Sequence, residues 1–75
     1  MSRLPQLTAK ELIKILVKLG FKPMRQSGSH IFFRHDDGRT TVVPNHPGER
    51  LDHSLLVKIV KKDIKLTREE FEDLI

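Results

Sequence analysis

The feature that most constrains the fold of this chain is a change of residue periodicity at Gly20. Upstream, Thr8-Ala-Lys-Glu11 has the form of a capping box, in which the threonine hydroxyl and the glutamate carboxylate satisfy backbone amides of a first helical turn. Apolar residues then recur at helical spacing on one face: Ala9, Leu12, Ile13, Leu16 and Leu19. Gly20 suits the left-handed conformation that ends many helices. The sequence therefore predicts an amphipathic helix that begins after Thr8 and ends at Gly20.

Beyond this helix, three short β-prone stretches predict an antiparallel sheet over residues 24–27, 30–35 and 39–43. Asp37-Gly38 is a strong signal for a two-residue hairpin turn. Such a turn places Phe33 opposite Val42 and Arg34 opposite Thr41. Since side chains alternate across a strand, one face is expected to pack on the helices and carry Ile31, Phe33 and Val42. The other face is expected to be open and to carry His30, Phe32, Arg34 and Thr41.

The last third of the chain predicts two more helices after a loop at 44–48. Asp52 or Ser54 can cap a helix with lysines outward and with an inner face of Leu55, Leu56, Ile59 and Val60. Thr67-Arg-Glu-Glu70 is a second capping box, and it opens a short terminal helix that presents Phe71, Leu74 and Ile75 inward. The order is α-β-β-β-α with a short C-terminal helix, an α+β fold with a three-stranded antiparallel sheet. We expect residues 1–75 to form one domain.

Composition limits the classes of function. The chain has no cysteine, so neither disulfides nor thiolate zinc ligands stabilise it. Its apolar runs are too short for a membrane span and no signal peptide is apparent, so we expect a cytoplasmic protein. Residues 1–66 hold 13 basic and six acidic residues, whereas residues 67–75 hold one basic and four acidic residues. A basic body favours a polyanionic partner such as RNA.

Four histidines suggest either metal binding or acid–base chemistry. Their spacing matches no compact ligand motif, so no metal site and no cofactor are predicted. A neutral imidazole can instead take a proton from the 2′-hydroxyl of RNA. His30 is the candidate, with Gly28 and Ser29 as a supporting loop that allows a tight approach of the backbone. The alternative for this Gly-Ser-His run is an ordinary turn followed by a strand.

Several neighbouring side chains have more than one interpretation. Basic Lys22, Arg25 and Arg34 are predicted to lie near His30 and to contact phosphates. Phe32 either stacks on an unpaired base or is buried beneath a helix. His46 is either a second acid or base or, as we favour, a residue that fixes its loop through a hydrogen bond. His35 and His53 are expected at the surface.

Taken together, four segments resemble one family: Leu19-Gly20-Phe21, Arg25-Gln26-Ser27-Gly28-Ser29-His30, Val43-Pro44-Asn45-His46, and Ile59 with the final Glu-Glu-Phe helix. They look like the HicA (YcfA-like) toxins, and the resemblance covers nearly all of the chain. It implies a fold similar to double-stranded RNA-binding domains and a ribosome-independent endoribonuclease that cleaves mRNA, with His30 matching the family's essential histidine. It also implies a HicB-type antitoxin that covers the active surface and links the toxin to autoregulation. The alternative function is a non-catalytic module that binds double-stranded RNA by shape.

Overall fold

The computed structural model of the chain describes residues 6–75, so residues 1–5 of the predicted domain lie outside the described part. In chain order the elements are helix α1 (Ala9–Leu19), strands β1 (Lys22–Ser27), β2 (His30–Arg34) and β3 (Thr40–Pro44), helix α2 (His53–Lys58), a π-helical segment (Ile59–Asp63) and helix α3 (Arg68–Glu72). The strands form one antiparallel sheet in the order β1-β2-β3. This arrangement is similar to that of double-stranded RNA-binding domains and confirms the predicted fold class.

The predicted ends of α1 are confirmed. The Thr8 hydroxyl accepts from the amide of Glu11 at 3.2 Å, and the Glu11 carboxylate accepts from the amide of Thr8 at 2.9 Å. At the other end Gly20 has a φ of 101°. A side chain at this position would be strained by the backbone and would also meet the ring of His35, whose Nε2 lies 3.1 Å from an ideal Cβ.

The predicted register of the second hairpin is wrong by one residue. Phe33 pairs with Thr41 and Arg34 pairs with Thr40, because the turn contains three residues rather than two. The amide of His35 donates to the carbonyl of Arg39 at 2.8 Å, and Gly38 between them has a φ of 99°. Such a three-residue loop commonly ends in a left-handed glycine.

A shift of one residue exchanges the two faces of a strand, so β3 is inverted relative to the prediction. Thr41 and Val43 face the core, and Thr41 is only 3% exposed. Val42, which was expected in the core, is 41% exposed on the open face. The buried hydroxyl of Thr41 donates to the carboxylate of Asp63 at 3.0 Å. Burial of this polar residue is therefore compensated by a hydrogen bond.

The helix that follows the loop is capped by Asp52, whose carboxylate accepts from the amides of Ser54 and Leu55. It begins as predicted but widens after Lys58 into the π-helical segment, where the amide of Ile64 donates to the carbonyl of Ile59 at 2.9 Å. No sequence signal predicted this change. The wider segment supplies Asp63 to Thr41, so it anchors this helical region to β3.

The core lies between the inner face of the sheet and the helices. Its largest fully buried side chains come from all parts of the described chain: Phe21, Phe33, Phe71, Leu12, Leu16, Leu56, Ile59 and Ile64. The second capping box is present at Thr67 and Glu70, and it starts α3 so that Phe71 enters the core. Leu74 is half-buried, but Ile75 is 60% exposed and does not pack inward as predicted.

Candidate functional site

The β1–β2 hairpin presents His30 at one end of the sheet. Ser27 pairs with His30, so Gly28 and Ser29 form a two-residue turn between them. Gly28 has a φ of 59°, which matches the first position of a type II′ turn and favours glycine. The side-chain amide of Gln26 donates to the carbonyl of Gly28 at 2.9 Å and holds the turn. The His30 side chain is exposed at the first position of β2.

Cross-strand pairing arranges the open face of the sheet in three rows. The row at the turn contains Ser27, His30 and Pro44. The middle row contains Arg25, Phe32 and Val42, and the far row contains Lys22, Arg34 and Thr40. Met24 forms a bulge between Pro23 and Arg25, so Lys22 and Arg25 share the open face although they are three residues apart. The structure thus brings His30 and the three predicted cations, Lys22, Arg25 and Arg34, onto one surface, which we call the open face.

The rows also set the order of the cations from His30. At about 3.3 Å per residue, roughly 7 Å of strand separates His30 from Phe32 and roughly 13 Å separates it from Arg34. The Arg25 guanidinium lies 5.1 Å from the centroid of Phe32, a cation–π distance. Phe32 is half-buried on the open face and is not covered by a helix. Arg25 is consequently the cation whose row lies next to His30.

His46 lies just beyond the same end of the sheet. Pro44 is the cross-strand partner of His30, and the amide of Asn45 donates to the carbonyl of Ser29 at 2.7 Å. The His46 side chain is exposed, and within residues 6–75 it makes no hydrogen bond; its backbone carbonyl accepts from Glu49. The structure therefore gives no hydrogen bond, within residues 6–75, for the predicted loop-fixing role of the His46 side chain, and that role stays a prediction.

His35 was predicted to lie at the surface, but the structure shows it half-buried. Its Nε2 lies 2.9 Å from the carbonyl of Leu19, and its Nδ1 accepts from the amide of Asp37 at 3.1 Å. Its ring meets that of Phe21 edge-on at 5.1 Å between centroids. His35 therefore ties the end of α1 to the second hairpin. His53, also expected at the surface, is half-buried at the start of α2.

Two residues of the site region were not identified from sequence. Gln26 was overlooked because its role depends on the geometry of the turn, although a long amide next to a Gly-Ser turn is a usable signal. Val42 lies on the open face, whereas the two-residue turn predicted from Asp37-Gly38 placed it in the core. Among residues 6–75, no three His, Asp or Glu side chains are grouped as metal ligands.

The comparison with known families bears directly on this surface. A family model described as the HicA toxin of bacterial toxin-antitoxin matches residues 9–66. The chain belongs to the HicA toxin family. The HicA match runs from the first residue of α1 to the segment before α3, and it contains the whole sheet with His30. No curated protein matches the chain.

Membership in the HicA family makes this chain the toxin of a bacterial toxin–antitoxin system, and such a system includes an antitoxin partner. The HicA match also confirms the resemblance found in the sequence motifs. Of the helices that the structure describes, none is both long enough and apolar enough to cross a membrane.

Proposed function

We propose that this HicA toxin is a ribosome-independent endoribonuclease of a type II system that acts in the cytoplasm and cleaves mRNA with His30 as general acid and base. The observation that carries the proposal is the exposed imidazole of His30 on the open face, in the row next to Arg25. A catalytic base must be accessible to its substrate, and cations beside it stabilise the charge that develops on the phosphorus centre.

The reaction uses the substrate's own 2′-hydroxyl as nucleophile. Neutral His30 accepts the 2′-hydroxyl proton while the 2′-oxygen forms a bond to phosphorus. The bond from phosphorus to the 5′-oxygen then breaks, and the imidazolium returns its proton to that leaving oxygen. The products are a 2′,3′-cyclic phosphate and a 5′-hydroxyl, so neither a metal nor a cofactor is needed for the balance. Arg25 is proposed to contact the reacting phosphate, and Lys22 and Arg34 are proposed to contact neighbouring ones. Gly28 and Ser29 position His30 through the hairpin turn.

The test is incubation of purified RNA, without ribosomes and in EDTA, with the wild type and with His30→Ala. We expect wild-type cleavage and a rate at least about 100-fold lower for the variant, the usual contribution of a general acid or base. His53→Ala is the matched control, because His53 lies at the start of α2, away from the open face, and should leave cleavage intact. His46→Ala tests a second acid or base. Undiminished cleavage by folded His30→Ala would disprove the assignment.

The partner is proposed to be a HicB-type antitoxin that covers the open face. Its cations and the exposed Val42 suit a protein surface that combines carboxylates with apolar side chains. Expression of the toxin alone should arrest growth, and co-expression of the antitoxin should restore it. Harmless expression of a folded toxin would count against the proposal.

A second function, non-catalytic binding of double-stranded RNA, is favoured by one observation, the similarity of the fold to double-stranded RNA-binding domains. Such modules recognise the duplex by its shape. This function predicts tight binding of a blunt RNA duplex and no cleavage of any RNA, so the cleavage test described above separates the two functions.

A further inference from the structure

A groove of about 500 Å³ lies between α1 and the loop that follows β3. Its lining includes Lys10, Ile13, Lys14, Asn45, His46 and Pro47. Ile13 and Pro47 provide apolar surface, while two lysines and a histidine provide polar groups. Sites of this volume that combine apolar walls with a few polar groups are suited to small ligands or to single groups of larger ones.

The charges in this groove are of one sign. No Asp or Glu lines it, whereas Asp37 and Asp63 line the groove beside the second hairpin and Glu49 and Asp52 line the one before α2. Within residues 6–75, neither Lys10 nor Lys14 takes part in an ion pair. The groove is therefore complementary to an anion.

Helix stability accounts poorly for a lysine at position 10. Lys10 lies in the first turn of α1, where the helix dipole disfavours a cation. Lys14 follows it one turn later, and like charges at that spacing repel each other. Lys14 is also attracted to the carboxylate of Glu11, three residues earlier, and helps to lower its pKa. Local helix stability therefore accounts in part for Lys14 but not for Lys10, which is better explained by an external anion.

The groove is continuous with the end of the sheet that carries His30. Pro44 pairs with His30, and the amide of the next residue, Asn45, donates to the carbonyl of Ser29 at 2.7 Å. Asn45 also lines the groove. His46 follows directly. A polynucleotide that crosses the open face at His30 reaches the groove by turning around this end of the sheet.

We propose that the groove binds an unpaired nucleotide of the RNA substrate adjacent to the cleaved bond, an inference that rests on the proposed endoribonuclease function. The base lies against His46, Ile13 and Pro47, and Lys10 and Lys14 contact the phosphates on either side of it. Histidine rings are among the side chains on which unpaired bases stack. Because a paired base cannot enter, the groove selects single-stranded RNA.

The experiment measures binding of a short fluorescent oligoribonucleotide by anisotropy across a salt titration, in the His30→Ala background so that the RNA stays intact. Lys10→Ala/Lys14→Ala is compared with Lys61→Ala/Lys62→Ala, which removes the same charge from exposed positions of the π-helical segment. The first pair should reduce the slope of log affinity against log salt by about 1.4, since each single-strand contact contributes about 0.7. The control pair should leave it nearly unchanged.

Two further comparisons test the unpaired base. His46→Ala should lower the affinity for single-stranded RNA by roughly fivefold or more, as for loss of a stacking partner, while His53→Ala should not. For a blunt duplex, the Lys10→Ala/Lys14→Ala pair and the Lys61→Ala/Lys62→Ala pair should behave alike. Circular dichroism verifies that each variant is folded.

The outcomes separate the groove from the proposed function. If the wild type cleaves RNA but the Lys10→Ala/Lys14→Ala and Lys61→Ala/Lys62→Ala variants bind it equally well, the groove proposal is overturned. The endoribonuclease proposal is then unaffected. If the Lys10→Ala/Lys14→Ala variant binds the antitoxin more weakly but binds RNA as before, the groove proposal is also overturned. The groove is then assigned to a protein partner. If the wild type neither binds nor cleaves RNA, the proposed function itself fails.

Discussion

His30 and Arg34 share a strand and a face, yet roughly 13 Å of strand separates them. Arg25 enters the neighbouring row from β1 and is held over Phe32. A phosphate that reacts at His30 can therefore be contacted by Arg25 but not by Arg34. We therefore propose two different roles for the two arginines, according to the row that each one occupies.

This difference predicts separable kinetic effects. Arg25→Ala should lower kcat by roughly 10- to 100-fold, the range expected for loss of one hydrogen bond to a charged group. Arg34→Ala should raise KM and leave kcat nearly unchanged, because Arg34 is proposed to contact a phosphate that does not react. Steady-state cleavage of a fluorogenic oligoribonucleotide measures both constants. An equal effect of the two variants on kcat would contradict the row assignment.

At the scale of elements, α1 and α3 are both started by capping boxes whose carboxylates titrate. The amide of Thr8 donates to Glu11 and lowers the pKa of that carboxyl below its usual 4.5. The amide of Thr67 does the same for the pKa of Glu70. A carboxyl with a lowered pKa in the folded state stabilises the fold above its unfolded pKa. That stabilisation is lost as the pH falls below 4.5 through the lower folded values.

Acid should therefore weaken both helix starts. We expect the Tm of the wild type to decline as the pH falls below about 4.5. The decline should be shallower in Glu11→Gln/Glu70→Gln, because glutamine keeps the cap without titrating. Glu69→Gln/Asp73→Asn removes two exposed carboxylates that belong to neither box and should retain the wild-type profile. Circular dichroism measures the Tm of the three proteins as a function of pH. Identical profiles would show that the capping boxes do not contribute to the loss of stability in acid.

For the molecule as a whole, binding of RNA depends more on where the charges lie than on the net charge of +4. Four acidic residues are confined to residues 67–75, where buried Phe71 fixes α3 to the core. Thirteen of the 14 basic residues lie outside this segment, and they include those of the open face, of α1 and of the π-helical segment. The acidic end is thus held in place by packing, and within residues 6–75 no ion pair joins it to the cations of the open face.

Affinity for RNA should consequently fall steeply with salt. Three phosphate contacts from the open face give a slope of log affinity against log salt of about −2. Two more contacts from the groove bring this slope to about −3.5. Binding of a single-stranded oligoribonucleotide by His30→Ala, measured over a range of NaCl concentrations, tests this value. A slope near zero would exclude a surface that binds the phosphate backbone.

The sequence was most informative where structure is encoded locally. The capping boxes, the glycine end of α1 and the order of elements all depend on neighbouring residues, and all are confirmed. The second hairpin was misread because Asp37-Gly38 also suits the end of a three-residue loop. His35 and Asp63 could not be assigned from sequence, since their partners, Leu19 and Thr41, are 16 and 22 residues away. The open face was still anticipated, because His30, Phe32 and Arg34 alternate within one strand.

The bulge in β1 has a consequence for self-association. β1 is an edge strand whose six residues are all exposed, and such an edge can pair with another copy of the chain. Pro23 offers no amide hydrogen, and Met24 interrupts the regular alternation of the strand. A second molecule cannot form a continuous ladder along this edge. The toxin can thus accumulate in free form with less risk of aggregating through the strand that carries Arg25.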